Sequence, residues 1–424
     1  MLRFRKYLFV FLLGVLFLPL LESNLHLTTI PRLSGAYNLA DDTGFTYEGW
    51  FSGKYQAHKE KFARDTFGFR SLFIRANNQL DYSLFHKAGN GNFIIGRNNN
   101  IFPEWYLRSF TGGDFSGSKL LKSKFEKLKY LQDTLAKLNK TFLIVIAPSK
   151  DFFNPEDIPS TYKKADSSNY EAGLKYLKIS GLNYIDLNKY FIEQKNKTKY
   201  PLFYKYGSHW SAYGACLAGD SIITTLEKLR NCKIPHPNWR ANIVWEEASN
   251  DELELEDDLN LIFPLKHDLV GHPKLTASKD SGKKPSILFI GDSYFWALRD
   301  HYNIWDCFST GLFDYYFSAI YPKSGPVPNF VLKDAIAGSD IVVVEFTEAN
   351  MGDLGFGFPD AVCRVMHLHE DQQSIKRDRI LEMRNKIKSQ PEWMKAILEK
   401  ARQRNISVDS MVTVDATYMV EHQN

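Results

Sequence analysis

The residues best suited to chemistry in this chain are Ser293 and His209. Ser293 stands in Gly291-Asp292-Ser293-Tyr294, directly after the apolar run SILFI at 286–290. A continuous apolar run suits a strand buried on both faces of a parallel sheet. A serine at the C-terminal end of such a strand lies where open α/β sheets bind ligands. The turn into a following helix sets backbone N–H groups beside the hydroxyl, where they can hold a developing oxyanion. Gly291 lets the chain turn tightly and leaves room for a substrate. The motif is not the G-x-S-x-G elbow, because Phe295 stands where its second glycine belongs, and a serine here can equally be a plain helix cap. His209 lies in Tyr206-Gly207-Ser208-His209-Trp210-Ser211-Ala212-Tyr213-Gly214, a glycine-containing loop just before a helical segment. A serine hydroxyl needs a base to lose its proton at neutral pH, and histidine is the usual one. The chemistry expected of the pair is acyl transfer through Ser293.

The surrounding pattern supplies the scaffold. Leu121, Phe125, Leu128, Leu135 and Leu138 recur at helical spacing, and FLIVIA at 142–147 follows as a buried strand. The alternation continues with a helix near 171–179, a strand at 182–187 (LNYIDL), a helix over 212–229, and strands at 286–290 and 341–345 (IVVVE). This is the rhythm of a three-layer α/β fold with a mostly parallel sheet. Lys150, just after FLIVIA, and Glu348 and Asn350, just after IVVVE, then fall along the same sheet edge as Ser293. They are candidates for substrate contact, with Asn350 able to donate to an oxyanion. Trp210 and Tyr294 are suited to packing either on a sugar ring or in the core. Residues 92–102 (NFIIGRNNNIF) read as a hairpin, and the middle of residues 47–70 as a helix ending at Gly68. The acidic run 246–258, in a less regular stretch, reads as a solvated face. From 374 onward a small helical appendage carries no chemical motif.

Hydrophobic content of 44% suits a folded core and excludes a disordered chain. The net charge of +4 gives no reason to invoke nucleic acid, and no zinc-knuckle or arginine-rich stretch reopens the question. The four cysteines lack metal-ligand spacing, so neither metal nor cofactor is expected. At the N-terminus, Arg3, Arg5 and Lys6 precede an uncharged apolar run over 7–21. Basic residues stay cytoplasmic, so the rest of the chain should lie outside. No A-x-A-like cleavage site follows, which favours an uncleaved signal anchor in the inner membrane over a cleaved signal peptide. The expected organisation is an anchor over 1–24, a linker over 25–44, a catalytic domain over 45–370 and a helical tail over 371–424.

GDSY after a strand, preceded in sequence by a His-Trp motif, resembles the periplasmic alginate O-acetyltransferases, which are SGNH-hydrolase-like proteins. The segments FSGKYQ…FGFR, IIGRNNNIF, IVIAPSK, YIDLN and VVVEFTEAN resemble family segments in matching order, from residue 47 to 350. The resemblance implies transfer of acetyl groups to an exported polysaccharide. It also implies a membrane-bound O-acyltransferase that brings acetyl across the membrane. One departure stands out: the family motif is Asp-x-His-Trp, and the Asp position here is Gly207. A triad acid orients the imidazole and stabilises its cation. Three readings are open: a Ser293–His209 dyad with His209 held by a carbonyl or by Ser208, a replacement carboxylate from Asp186, Glu345 or Glu348, or a weakly catalytic glycan-binding protein. A carbohydrate acetyl esterase of the same fold would use the same residues.

Overall fold

The computed structural model describes residues 2–35, 39–89, 91–276, 282–325, 330–365 and 372–422. The chain divides into two compact units, one made of residues 1–95 and 253–266, the other of 96–252 and 267–424.

The first unit opens with α1, Leu2–Leu25, a 24-residue helix. The sequence reading confined the apolar run to 15 residues. The helix extends well past it, and Phe4–Leu25 is long and apolar enough to cross a membrane. The Glu22 carboxylate closes the turn that follows, accepting from Leu27 N at 3.0 Å and Thr28 N at 3.2 Å. Three helices come next, Tyr47–Phe51, Lys54–Asp65 and Arg70–Phe85. The helix expected across the middle of 47–70 is Lys54–Asp65, which starts after Gly53 at a left-handed φ of 77° and ends before Gly68.

The second unit holds a six-stranded sheet. Its strands are β1 (Thr141–Ala147), β2 (Tyr184–Asp186), β3 (Ile287–Gly291), β4 (Gly311–Tyr315), β5 (Ala319–Pro322) and β6 (Ile341–Thr347), in the spatial order β2-β1-β6-β3-β4-β5. All neighbours are parallel except β4 and β5. The apolar runs form the central strands because both faces are covered. Leu143, Val145, Phe289 and Val343 pack under α4 (Ala212–Arg230) and α5 (Tyr294–Tyr302). Ile144, Leu288, Val342 and Val344 pack under α2 (Ser118–Lys137) and α3 (Asn169–Ser180). Successive strand residues point to opposite faces, so each strand feeds both layers. The fold is the expected three-layer α/β arrangement.

The acidic run does not behave as one solvated face. Its start lies in a two-stranded ribbon, Ile243–Glu246 with Val270–Pro273. Glu252 is only 3% exposed, because its Oε1 accepts the Ala212 N–H at 3.0 Å at the start of α4. The tail forms three helices, α6 (Gln372–Ser389), α7 (Pro391–Arg404) and α8 (Val408–His422), around their own small core of Met383, Ile387, Ile397, Met411 and Val412.

Candidate active site

Ser293 follows β3 and occupies the cap position of α5, with φ −67° and ψ −13°, yet its side chain makes no capping bond. The hydroxyl instead meets His209, with Nε2 2.7 Å from Oγ. That is the distance and partner a nucleophile–base pair requires. Two neighbours in sequence steady the pair. Tyr294 OH donates to the Ser208 carbonyl at 2.8 Å, and its ring packs edge-on to the His209 imidazole at 4.9 Å. Ser208 Oγ lies 3.3 Å from His209 Nδ1. Burial pushes the Tyr294 phenol well above its ordinary range, so it remains a donor.

Asp292 is buried behind Ser293. Its oxygens accept from Tyr294 N at 3.1 Å, Thr347 N at 2.8 Å and Asn350 Nδ2 at 2.9 Å. Burial raises its pKa, while these bonds and the charge of His209 pull it back. Asp292 therefore ties the end of β3 to the end of β6. Gly291 has a reason beyond tight turning: a Cβ there would lie 2.5 Å from Glu345 Oε2. The Glu345 carboxyl is fully buried, and burial together with the Asp292 charge pushes its pKa well up.

A sequence profile described as SGNH hydrolase-like domain, acetyltransferase AlgX, matches residues 94–305, half of the 424-residue chain. The chain belongs to that family. Several solved structures are similar to this chain at low sequence identity. The O-acetyltransferase domain of Pseudomonas putida AlgJ is 15% identical, with 69% of this chain and 98% of that one covered and a TM-score of 0.42. Pseudomonas aeruginosa AlgX is also 15% identical, with coverage of 64% and 67% and a TM-score of 0.39. Bacillus cereus PatB1, solved with a sulfonyl adduct, is 12% identical, with coverage of 55% and 91% and a TM-score of 0.39. No curated protein matches the chain.

Within this AlgX-type domain, Gly207 has a steric explanation. A Cβ at residue 207 would lie 2.8 Å from the Glu252 carbonyl oxygen and 3.1 Å from its carbon. Backbone fills the space an Asp side chain would need. The three carboxylates weighed as substitutes are engaged elsewhere. Asp186 caps the helix Leu187–Gln194 through Asn188 N at 3.1 Å and accepts Tyr170 OH at 2.9 Å. Glu345 sits over Gly291, and Glu348 accepts Ser149 N at 2.6 Å and the Ser149 hydroxyl.

The other residues expected at the substrate lie inside the fold. Lys150 is fully buried. Its Nζ donates to the carbonyls of Ile101 at 2.9 Å, Lys205 at 2.6 Å and Gly207 at 3.0 Å. The ammonium thus holds the loop that carries His209. Trp210, Tyr294 and Glu348 are also buried. Trp210 stacks on Phe191 at 5.9 Å, which places it in the core. Asn350 is half-buried and gives its amide to Asp292 and to Thr347 Oγ1 at 3.1 Å. Glu348 shares a buried pocket of charge with Asp151. Burial pushes Asp151 up to about 7, and burial plus the Asp151 charge pushes Glu348 well up. One residue escaped the sequence reading altogether. Tyr316 follows β4 with a left-handed φ of 49°, and its N–H bonds the Gly291 carbonyl at 2.8 Å, which ties it to the turn before Ser293. Only its place at the end of a strand next to β3 could have signalled it. Among the described residues no cluster of three or more His, Cys, Asp or Glu is placed to hold a metal, and no disulfide joins the four cysteines.

Proposed function

We propose that the chain is an O-acetyltransferase acting on an exported polysaccharide through an acetyl-serine intermediate. Ser293 Oγ attacks the carbonyl carbon of an acetyl donor while its proton passes to His209 Nε2. The tetrahedral oxyanion collapses, the donor's oxygen leaves, and His209 returns the proton to it. A sugar hydroxyl then attacks acetyl-Ser293, gives its proton to His209, and takes the acetyl group as Ser293 Oγ recovers a proton from His209. Asp292 supports the imidazolium electrostatically and fixes the turn that carries Ser293. Ser208 and Tyr294 orient the imidazole, and Lys150 holds the His209 loop from beneath. The observation that carries the reading is the 2.7 Å approach of His209 Nε2 to Ser293 Oγ, in a chain whose family is one of acetyltransferases.

The acceptor expected is an alginate-like polysaccharide. The donor side is a membrane-bound O-acyltransferase that delivers acetyl from across the inner membrane. Helix α1 anchors the chain at that membrane, with the remainder on the periplasmic side, as the basic residues before the apolar run direct.

The test is acyl-enzyme trapping. The full chain in detergent is incubated with 4-nitrophenyl acetate and the adduct is located by mass spectrometry. Acetyl on Ser293 is expected, absent in Ser293→Ala and reduced about 10²–10⁴-fold in rate in His209→Ala. Labelling that survives Ser293→Ala defeats the assignment. Polysaccharide added to the labelled enzyme should then receive the acetyl group, and release to water alone would make the protein an esterase.

A further inference from the structure

The helix Arg70–Phe85 in the first unit is turned inside out for a surface in water. Its polar side chains point toward the rest of the unit. Arg75 donates to the carbonyls of Leu261 and Arg32, both at 3.0 Å. Asn78 Nδ2 donates to the Leu259 carbonyl at 2.8 Å, and Gln79 Oε1 accepts from Ile262 N at 3.2 Å and Phe263 N at 3.1 Å. At about 3.6 residues per turn, residues 75, 78 and 79 share one face and residues 73, 80 and 84 the opposite one. On that opposite face Phe73, Leu80 and Leu84 are 53%, 58% and 68% exposed, and no residue of the helix is buried. A contiguous apolar stripe of this kind marks an interaction surface.

Two observations say what covers it. The first is depth. A Cβ at Gly68 would lie 2.0 Å from the Pro19 carbonyl oxygen and 2.9 Å from Glu22 Cβ, so the backbone just before the helix lies directly on α1. Pro19 belongs to the apolar run that ends at Leu21, and two residues of helix measure about 3 Å. Where α1 crosses a bilayer, the start of the helix Arg70–Phe85 is therefore carried to the edge of the hydrocarbon. Phe67 and Phe73 stand together there, their ring centroids 6.2 Å apart. The second observation is charge. His26, Arg32 and Arg70 line a cavity of about 260 Å³ beside Glu22, at the end of α1. Lys87 follows the other end of the helix, and Asp81 is the one acid within it. Basic groups at the ends of an apolar stripe suit lipid phosphates. The loop behind the helix cannot follow the stripe into hydrocarbon, because its backbone groups would lose water.

We propose that Arg70–Phe85 is an interfacial helix, which lays its Phe73-Leu80-Leu84 stripe, together with Phe67, into the leaflet where α1 ends. The stripe meets the acyl-chain boundary of that leaflet, and lipid phosphates lie over the cavity of His26 and Arg32. The proposal rests on the reading of α1 as a membrane anchor. A single helix leaves what it tethers free to swivel about the helix axis. A second contact in the plane of the interface fixes how the first unit stands on the membrane.

The experiment uses the full chain carrying Cys232→Ser, since the other three cysteines are buried. The chain is reconstituted into vesicles of phosphatidylethanolamine and phosphatidylglycerol. Spin labels are placed one at a time through Leu80→Cys, Leu84→Cys and Leu13→Cys, with Glu392→Cys, an exposed position of the tail, as the aqueous reference. Accessibility to oxygen, which concentrates in hydrocarbon, is compared with accessibility to a water-soluble nickel chelate. The oxygen-to-nickel ratio at positions 80 and 84 is expected to exceed that at position 392 by at least about threefold, as for an apolar face sunk ~5–10 Å into the boundary between headgroups and acyl chains. Thermal melts of each labelled chain exclude a folding defect. A label in hydrocarbon at position 13 with labels in water at positions 80 and 84 overturns this proposal and keeps the anchor. A label in water at position 13 removes the anchor reading itself. Labels at positions 80 and 84 shielded from both reagents mean that protein covers the stripe, and that too overturns the assignment to lipid.

Discussion

At the residue scale, the site is organised by how few atoms are left uncommitted. Ser293 spends no hydrogen bond on capping α5, which leaves its hydroxyl to His209. Asp292 spends its carboxylate on the backbone of the turn, and Lys150 spends its ammonium on carbonyls of the histidine loop. Gly207 is the position where a single atom matters most. A methyl group there would press on the Glu252 carbonyl at 2.8 Å, and a backbone atom cannot step aside as a flexible side chain can. Gly207→Ala is expected to cost about 1–3 kcal/mol through overpacking and to slow acylation by displacing the loop that holds His209. Chemical denaturation and single-turnover kinetics of the variant check both effects. Unchanged stability together with unchanged acylation would mean that the Glu252 segment yields without consequence.

At the element scale, the ends of β1, β3 and β6 converge because they are adjacent parallel strands. In the register, Thr347 pairs with Ala147 and Val344 with Ile290. The same convergence buries carboxyl groups that start the loops. Asp151 is pushed up to about 7, chiefly by burial, and Glu348 is raised with it. An acid whose folded pKa is raised holds its proton more tightly folded than unfolded. Its stabilising effect is complete below the unfolded value, near 4, and is lost as pH rises through the folded value. Stability is therefore expected to decline between about pH 4 and about pH 7, lowering Tm by several degrees. Asp151→Asn should flatten that part of the profile. Tm measured by calorimetry across the range decides the matter, and a Tm that rises toward pH 7 contradicts the burial argument.

At the scale of the whole molecule, two additions flank the sheet in sequence. At one end is α1, whose 24 residues reach about 36 Å at ~1.5 Å per residue, enough for a ~30 Å hydrocarbon core. At the other end, the three tail helices pack around their own core and fasten to the sheet domain through Asn385 and Glu382. The chain is expected to remain with membranes through alkaline carbonate extraction and to keep its original N-terminus. A form beginning near residue 26 should be released. Mass spectrometry of the N-terminus is the readout, and a mature chain starting beyond Leu25 would replace the anchor with a cleaved signal.

The sequence by itself marked four of the sheet's six strands, β1, β2, β3 and β6, and singled out Ser293 and His209, which the fold brings together. Long apolar runs have no stable place except between two layers of helix, and a serine or histidine at the end of such a run must come to the sheet edge. It also carried the family, because the short segments around those strand ends lie in the family's order. Side-chain orientation at the edge was a different matter. Lys150, Trp210 and Glu348 sit one or two positions from the reacting groups in sequence or on the sheet, yet the structure turns them inward. Only packing from remote segments decides that, as Ile101 and Lys205 do for Lys150. Nor could sequence reveal that the Glu252 backbone fills the space beside Gly207, that the Tyr316 N–H meets the Gly291 carbonyl, or that the tail walls a cavity next to Asn350. Each is a contact between segments far apart along the chain, and periodicity carries no information about which distant surfaces will meet.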